Sequence, residues 1–226
     1  LAALAARLPA APAGAHLPLA ADLADRAGDA PLIARVADAF GRPADGLVNN
    51  AASKSSSLDA FLAGDMAFAP ETWRAVFAVN LEAPFFLSRA FAAPLLAAGL
   101  PGAVVNVASI YGHMAPDQRI YRGSRYLDRE ISSPAAYSAS KAGLLGLTRH
   151  LAALWGAQGV RVNSLAPGGV DSGQNEVFAR AYSARVPLGR MARPQDMTGL
   201  LVFLLSDAAR YVTGQNMLVD GGLSAW

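Results

Sequence analysis

The sequence of 226 residues predicts a doubly wound α/β fold, in which helices cover both faces of one parallel sheet. Four short runs rich in Val and Leu carry few charges, as expected for strands that are buried on both faces. Helix-length segments separate these runs, and strands that alternate with helices predict right-handed βαβ units. The predicted strands are residues 46–51, 103–109, 160–167 and 216–222, and the predicted helices are residues 31–40, 70–95, 134–158 and 194–207.

The start of the sequence and two long polar stretches between the predicted elements also allow structural predictions. Leu1, Leu4 and Leu8 follow helical spacing, which predicts the end of an amphipathic helix at the start of the sequence. Arg7 and the prolines after it interrupt this apolar segment, so we expect no membrane helix there. Residues 110–133 and 169–190 are polar, contain Gly and Pro, and follow strand ends. Because ligands of open α/β sheets bind beyond the carboxyl ends of strands, these two stretches are expected to form the walls of a substrate pocket.

Composition limits the classes of protein to which the chain can belong. It is 53% apolar and 16% charged, without a repeat or linker, which favours a single domain over residues 1–226. The formal charge of +2 is spread along the chain, so no nucleic-acid partner is expected. The absence of cysteine excludes a disulfide framework and a thiolate metal site. We expect no metal centre, a small-molecule substrate and a cytoplasmic location.

The main chemical signal is Tyr137 with Lys141, at the start of the long helix predicted over residues 134–158. Residues four apart lie on one helical face, so the ammonium can approach the phenol. A nearby cation favours the phenolate, and we expect Lys141 to lower the pKa of Tyr137 from about 10 toward neutrality. Such a phenol could exchange a proton with a carbonyl oxygen while hydride moves at carbon. Ser109, at the end of a predicted strand, could hydrogen-bond the same oxygen. Tyr111, Tyr121 and Tyr126 are alternative phenols, but none has a lysine four residues later.

Six motifs in order resemble those of the classical short-chain dehydrogenase/reductase family, over nearly the whole chain. They are LVNNAA (47–52), VNLEAPFF (79–86), VNVASIYG (105–112), SPAAYSASKAGLLGLT (133–148), GVRVNSLAPGGVDS (159–172) and YVTGQNMLVDGG (211–222). The resemblance implies a three-layer, Rossmann-like fold and an NAD(P)-dependent oxidoreductase that acts on a CH–OH group. It also implies a homo-oligomer, either tetramer or dimer. Among members of the family, the sequence resembles sugar-modifying enzymes of polysaccharide pathways, which implies a sugar or sugar derivative as substrate.

The resemblance assigns roles to individual residues. Tyr137 would be the general acid/base, Ser109 would orient the substrate oxygen, and Asn80 would help to hold a proton-relay water. Lys141 would bind the nicotinamide ribose in addition to acting on Tyr137. The further positions that would contact the cofactor are Asp22 and Leu23 at the adenine ring, Asn50 and Ala51 at the adenine ribose, and Pro167, Gly168, Val170 and Ser172 around the nicotinamide. A helix N-cap role for Asp22 and a strand-end hydrogen bond for Asn50 remain open alternatives.

The sequence departs from the family pattern in two places. The family begins with a strand, a Gly-rich turn and a helix that hold the pyrophosphate, and the sequence lacks this unit. We therefore expect a fragment of a longer protein, with either NAD or NADP as the cofactor, because the segment that selects between them belongs to that unit. The spacing from Ser109 to Tyr137, 28 positions (137 − 109), is also unusually long.

The additional residues lie in the stretch 113–130, which contains Arg119, Arg122 and Arg125. A charged insert can simply be solvated surface. Alternatively its arginines bind an anionic or hydroxyl-rich substrate, because guanidinium groups match carboxylate and phosphate geometry.

Two other functions remain open on the sequence. One is a non-catalytic scaffold of the same fold that has lost cofactor binding. The combination of Asn80, Ser109, Tyr137 and Lys141 argues against it, since folding alone does not require that set. The other is an extended-type epimerase or dehydratase, which would need a further C-terminal substrate region.

Overall fold

The structure is a computed structural model that describes Leu8 and residues 16–53, 57–62, 64–126 and 128–226. The helix expected around Leu1 and Leu4 lies outside these residues. The strands are β1 (Gly46–Asn49), β2 (Gly102–Val107), β3 (Arg125–Tyr126), β4 (Arg129–Glu130), β5 (Val160–Pro167) and β6 (Asn216–Val219). The α-helices are α1 (Asp29–Phe40), α2 (Leu58–Leu62), α3 (Pro70–Phe77), α4 (Ala83–Ala98), α5 (Ala135–Trp155), α6 (Glu176–Ser183) and α7 (Thr198–Leu205).

Four strands form one parallel sheet in the order β1-β2-β5-β6. Val104 of β2 faces Val162 of β5 in the register, and both side chains are buried. All four correspond to the predicted apolar runs, so the doubly wound parallel sheet is confirmed. Within the described residues, β1 has a neighbouring strand on one side only.

Helices cover both faces of this sheet and produce three layers. On one face, Phe91 and Leu95 of α4 pack with Leu151 of α5 against Val104 and Val162, and α1 adds Ile33. On the other face, Leu204 of α7 packs against Val105 and Leu165. Successive residues of a strand point to opposite faces, which is why adjacent valines of β2 belong to different cores.

The ends of the helices follow from local sequence. α3 begins with Pro70, whose fixed φ suits the first helical turn and whose missing N–H is not needed there. α4 ends at Gly99, which has a φ of 64° and donates its amide to Leu95 and Leu96 carbonyls. This left-handed conformation is readily adopted only by glycine. The chain can therefore turn directly into β2.

A chain of buried polar side chains ties the sheet to α5. Asn49 of β1 donates from Nδ2 to Oδ1 of Asn106 on β2, at 2.8 Å. Asn106 donates in turn to Oγ1 of Thr148 at 2.9 Å, and Thr148 donates to the Leu144 carbonyl. Each buried donor in this chain has an acceptor, which avoids the penalty of about 1–3 kcal/mol for an unsatisfied group. The network fixes α5 relative to β1 and β2.

Two features differ from the sequence prediction. The helix predicted over residues 70–95 is interrupted by a π-helical turn, Ala78–Glu82, which separates α3 from α4. The stretches expected to be irregular walls also contain structure. The first includes the small antiparallel hairpin of β3 and β4, and the second includes α6.

One helical run in the described part of the chain, Pro70–Ala98, is long and apolar enough to cross a membrane, with a mean hydropathy of 1.2. Core helices pass the same test, and the α4 portion of this run packs on the sheet through Phe91 and Leu95.

Candidate active site

Residues from three elements meet beyond the carboxyl ends of β2 and β5. Ser109 follows β2, Tyr137 lies in the first turn of α5, and Gly168 follows β5. All three line one cavity of about 160 Å³, which we call the inner cavity. The parallel sheet explains their meeting, because the carboxyl ends of parallel strands lie along the same edge. The catalytic serine and tyrosine predicted from sequence are thus neighbours in space.

The pKa of the Tyr137 phenol depends on its burial and on a hydrogen bond with Ser109. Burial raises the pKa of Tyr137 above its ordinary value of 10.0, because the charged phenolate loses hydration. A hydrogen bond from the Ser109 side chain acts in the opposite direction. The expected lowering of this pKa by Lys141 is wrong for the chain on its own. The ammonium lies 6.0 Å from the centre of the Tyr137 ring and is directed to a backbone carbonyl.

Lys141 is a buried cation with an unusual environment. Its Nζ donates to the carbonyl of Val107, at the end of β2, over 2.7 Å. Burial lowers the pKa of Lys141 from 10.5 to about 8. Among the described residues no carboxylate lies within 4.0 Å of Nζ. An ammonium has three N–H donors, so two remain for partners other than Val107.

Asn80 occupies the middle of the π-helical turn and is 1% exposed. Its Oδ1 accepts from the Ser53 amide at 2.7 Å, and its Nδ2 donates to Ser140 Oγ at 3.3 Å. The side chain therefore ties the loop after β1 to α5, the helix that carries Tyr137 and Lys141. A π-helical turn shifts backbone carbonyls out of the regular helical pattern and often occurs at functional sites. The proton-relay role of Asn80 stays a prediction.

The segment after β5 is held by a tyrosine that the sequence did not single out. The amide of Gly169 donates to the hydroxyl of Tyr182 on α6. A Cβ on Gly169 would lie 2.6 Å from the Tyr182 ring, and one on Gly168 would lie 2.9 Å from the Asp220 Cα. Both glycines are therefore required by packing, whatever else they contact. Pro167 is the last residue of β5 and pairs with Val219.

Val170 and Ser172 are positioned by Gln174. Gln174 donates from Nε2 to the Val170 carbonyl at 2.9 Å, and its Oε1 accepts from the Ser172 amide at 2.8 Å. The carbonyl of Val170 is therefore already engaged. The parallel bridge to Ala192 uses the Gly169 carbonyl and the Asp171 amide, and leaves the Val170 amide out. The Val170 amide is therefore the group that could make the predicted contact with the nicotinamide carboxamide.

The positions predicted to meet the adenosine portion are more exposed. Asn50 and Ala51 directly follow β1, at the same sheet edge as Ser109. Asp22 and Leu23 lie in the segment before α1, where Asp22 Oδ1 accepts from the Ala24 amide at 2.8 Å. Asp22 thus makes a local turn rather than a helix N-cap. Adenosine contacts of these four residues stay predictions.

A larger cavity adjoins the inner one. It has a volume of about 770 Å³ and shares five lining residues with the inner cavity: Tyr111, Tyr121, Tyr137, Gln174 and Phe178. We call it the outer cavity. Its remaining walls come from α2, from the stretch after Ser109 and from the loop before α6. Both stretches expected to form substrate walls line this cavity, and its use as a substrate pocket stays a prediction.

Only part of the expected arginine cluster reaches this cavity. Arg125 is a lining residue. Arg119 instead forms an ion pair with Asp117 at 2.9 Å, and Arg185 pairs with the same carboxylate. Arg122 is exposed and does not line either cavity. Of the two alternatives for this insert, solvated surface describes Arg119 and Arg122, and only Arg125 is placed where it could meet a ligand of the outer cavity.

The sequence offers Tyr111 and Tyr121 only as alternatives to Tyr137, and the hydrogen bond that joins them beside Tyr137 was missed. Tyr121 and Tyr111 join their hydroxyl groups at 3.2 Å, and both line the two cavities. Burial raises the pKa of each above its ordinary value, so both are neutral hydroxyl groups near pH 7. The position of Tyr111, two residues after Ser109 at a strand end, is the only signal in the sequence that could have indicated it.

The residues present are suited to a nicotinamide dinucleotide. A buried ammonium with two donors to spare, 6.0 Å from the centre of the Tyr137 ring, matches the hydroxyl groups of a ribose. Gly168 and Gly169, where no Cβ fits, line the inner cavity together with Tyr137 and leave backbone beside the phenol. Lys141 would hold the ribose, and the Val170 amide would hold the carboxamide.

The fold, a parallel sheet flanked by helices, and the site define a class of protein, the Rossmann-like oxidoreductases. A family model described as enoyl-(acyl carrier protein) reductase matches residues 1–224. The chain belongs to the classical short-chain dehydrogenase/reductase family, whose members are NAD(P)-dependent enzymes acting on CH–OH groups.

Named relatives support the assignment. Galactitol 2-dehydrogenase (L-tagatose-forming) from Cereibacter sphaeroides is 38% identical over 162 residues, which is 69% of this chain and 58% of the relative. D-threitol dehydrogenase from Mycolicibacterium smegmatis is 36% identical over 92% of this chain and 74% of its own length. A short chain dehydrogenase from Leptospira borgpetersenii with bound NAD+ superimposes with a TM-score of 0.78 at 32% identity, covering 90% of this chain and 74% of that one. Other matching structures hold NADP.

Proposed function

We propose that this protein interconverts a secondary alcohol and a ketone on a sugar or polyol, with NAD or NADP as the hydride carrier. Tyr137 is the general acid/base and Ser109 orients the reacting oxygen. The observation that carries the proposal is the inner cavity, where Tyr137 and Ser109 share one wall. The relatives named for galactitol and D-threitol support the substrate class.

The proton moves between Tyr137 and the substrate oxygen. In the direction of oxidation, the phenolate accepts the proton of the alcohol; in the direction of reduction, the neutral phenol donates it. The Ser109 hydroxyl hydrogen-bonds the same oxygen and holds it at the phenol. A nicotinamide cofactor, which Lys141 and the Val170 amide would hold, would supply the acceptor or donor of the hydride at the carbinol carbon. The raised pKa of Tyr137 keeps the phenol protonated near pH 7 in the chain alone, ready for the reductive direction.

The lining of the cavities supports a substrate with several hydroxyl groups. Tyr111 and Tyr121 present neutral hydroxyl groups that both donate and accept. Because they line the inner and outer cavities together with Tyr137, they can bind hydroxyl groups near the reacting carbon. A purely apolar alcohol would leave part of the hydrogen-bonding capacity of these two joined hydroxyl groups unused, which costs binding energy. Vicinal diols are therefore favoured.

A catalytic role explains Lys141 better than a scaffold role does. A buried cation without a carboxylate partner is costly to a fold, and a non-catalytic scaffold gains nothing from it. In an enzyme, the same cation would donate hydrogen bonds to the ribose hydroxyl groups of the cofactor, which gives its burial a function. Asn80 positions the loop after β1 against α5 and, through its turn, supports the proton relay.

We also propose that residues 1–226 act as one domain, in the cytoplasm, as a dimer or tetramer. The apolar, charge-poor composition and the absence of cysteine are compatible with this location. No nucleic acid, membrane or metal is required by the mechanism.

Replacing Tyr137 with Phe tests the function. The variant removes the proton donor and almost no packing volume, so kcat should fall about 10²- to 10⁴-fold while the circular dichroism spectrum stays unchanged. The matched control is Tyr211→Phe, since Tyr211 is fully exposed. Activity is followed as NAD(P)H absorbance with galactitol and D-threitol. If Tyr137→Phe retained wild-type turnover, the assignment of Tyr137 would be wrong.

A further inference from the structure

We propose that Arg125 binds a carboxylate at the end of the substrate remote from the reacting carbon, so that the preferred substrate is a sugar acid rather than a neutral polyol. This inference rests on the proposed function and names its substrate class. It places the reacting carbon at Tyr137 and the acid group at the hairpin of β3 and β4.

The charge of the outer cavity points to such a substrate. Its lining residues in the described part of the chain include hydroxyl, amide and apolar side chains, and Arg125 is the single one with a formal charge. The inner cavity is lined by uncharged side chains. A substrate that occupies both therefore meets one cation, located away from Tyr137, and no described anion. One carboxylate on the ligand would balance that charge.

The backbone of Arg125 is fixed to the opposite wall. Asn175 donates from Nδ2 to the Arg125 carbonyl at 3.1 Å and to Ser124 Oγ at 2.6 Å. Ser124 is fully buried, and Asn175 also accepts from the Phe178 amide as the N-cap of α6. The arginine thus belongs to a braced wall and not to a free surface loop.

The guanidinium itself is held without being neutralised. It donates from Nη2 to the backbone carbonyl of Asp128, across the turn between β3 and β4. Among the described residues no carboxylate lies within 4.0 Å of it, in contrast to Arg119, Arg129 and Arg185, which form ion pairs. An oriented guanidinium with donors left over suits a bidentate carboxylate.

A matched pair of ligands and a matched pair of variants test the inference. D-Gluconate and D-glucitol share a carbon chain and differ at one end, which is a carboxylate in the first and a CH₂OH group in the second. Arg125→Gln removes the charge and keeps a polar side chain. Arg122→Gln is the control, because Arg122 lies in the same insert but outside both cavities.

With NAD⁺ and NADP⁺ tested in parallel, Arg125→Gln should raise the KM for D-gluconate about tenfold or more and change the KM for D-glucitol less than twofold. One lost charge-assisted hydrogen bond accounts for a change of that size. Arg122→Gln should change neither. Added salt should raise the KM for D-gluconate in the wild type and have little effect in Arg125→Gln.

Equal effects of Arg125→Gln on both ligands would overturn the inference and leave the proposed function intact. If neither ligand, nor galactitol or D-threitol, were turned over, the proposed function would fail. Binding measured by calorimetry then decides on Arg125 separately. Gluconate heat that is lost in Arg125→Gln supports the inference, and absence of gluconate binding to the wild type rejects it.

Discussion

At the scale of single residues, Lys141 combines a charge with burial. It is 3% exposed, and burial lowers its pKa from 10.5 to about 8. Between these pH values the unfolded chain binds more protons than the folded one, so the free energy of unfolding rises with pH. Below pH 8 the cost of the buried charge is fully present. Above about 10.5 it is removed.

Replacing Lys141 with Met should abolish this dependence. From pH 8 to pH 9.5, the free energy of unfolding of the wild type should rise by about 2 kcal/mol more than that of the variant. Urea denaturation of both chains without cofactor, at matched pH values, gives the difference directly. The comparison with the variant subtracts the buried tyrosines, which act on stability at higher pH. If the free energy of unfolding changed equally with pH in both chains, burial would not be lowering the pKa of Lys141.

Residue roles were predicted from the sequence unevenly, for physical reasons. Ser109 and Tyr137 could be predicted to meet, because a strand end and a helix start at one edge of a parallel sheet are neighbours. The effect of Lys141 on the Tyr137 pKa could not, because spacing along a helix does not say that Nζ turns to the Val107 carbonyl. The contact of Tyr111 with Tyr121 depends on how an irregular loop folds back, and no periodicity encodes that.

At the scale of elements, Asn175 performs two tasks that one substitution can separate. Its Oδ1 caps α6, and its Nδ2 braces the hairpin of β3 and β4. Asn175→Asp keeps the oxygen that caps α6 and removes the N–H donors to the hairpin. Asn175→Ala removes both the cap and these donors. We expect Asn175→Asp to lower the free energy of unfolding by about 1 kcal/mol, since the bonds to Ser124 and Arg125 are lost, and amides of residues 122–130 to exchange faster. Asn175→Ala should lose a further ~1 kcal/mol through the missing cap.

Hydrogen exchange read by mass spectrometry measures the hairpin, and thermal unfolding measures the cap. The peptide of β2 serves as an internal reference, since its amides belong to the buried sheet. Unchanged exchange at residues 122–130 in Asn175→Asp would show that the hairpin is held by other contacts, and the bracing of Arg125 would need another explanation.

The regular elements were predicted well, and the insert was not. β2 and β5 are largely buried, β1 and β6 are partly buried, and all four are short apolar runs, so they are visible in the sequence. The hairpin of β3 and β4 has two residues in each strand and depends on Asn175, about 50 positions away. The π-helical turn was also missed, because it shifts backbone hydrogen bonds without changing the apolar pattern of residues 70–95.

At the scale of the whole molecule, α7 carries apolar residues around its circumference, with the sequence TGLLVFLL. Leu204 faces the sheet and is fully buried, but Val202 on the outer side is 64% exposed. A helix that is apolar on all sides is normally covered on all sides. The outer face of α7 is therefore the surface on which we expect the proposed dimer or tetramer to form.

Val202→Glu should convert the oligomer to smaller species, because a carboxylate would have to lose its hydration in an apolar contact. Sedimentation velocity at micromolar concentration gives the mass of each chain, and circular dichroism checks the fold. Met66→Glu is the matched control, since Met66 is fully exposed outside this helix and its replacement should leave the mass unchanged. The open side of β1 offers a different route, because an edge strand can pair with another chain. Association by that route would survive Val202→Glu, and a wild type that sediments as a monomer would contradict the proposed oligomer altogether.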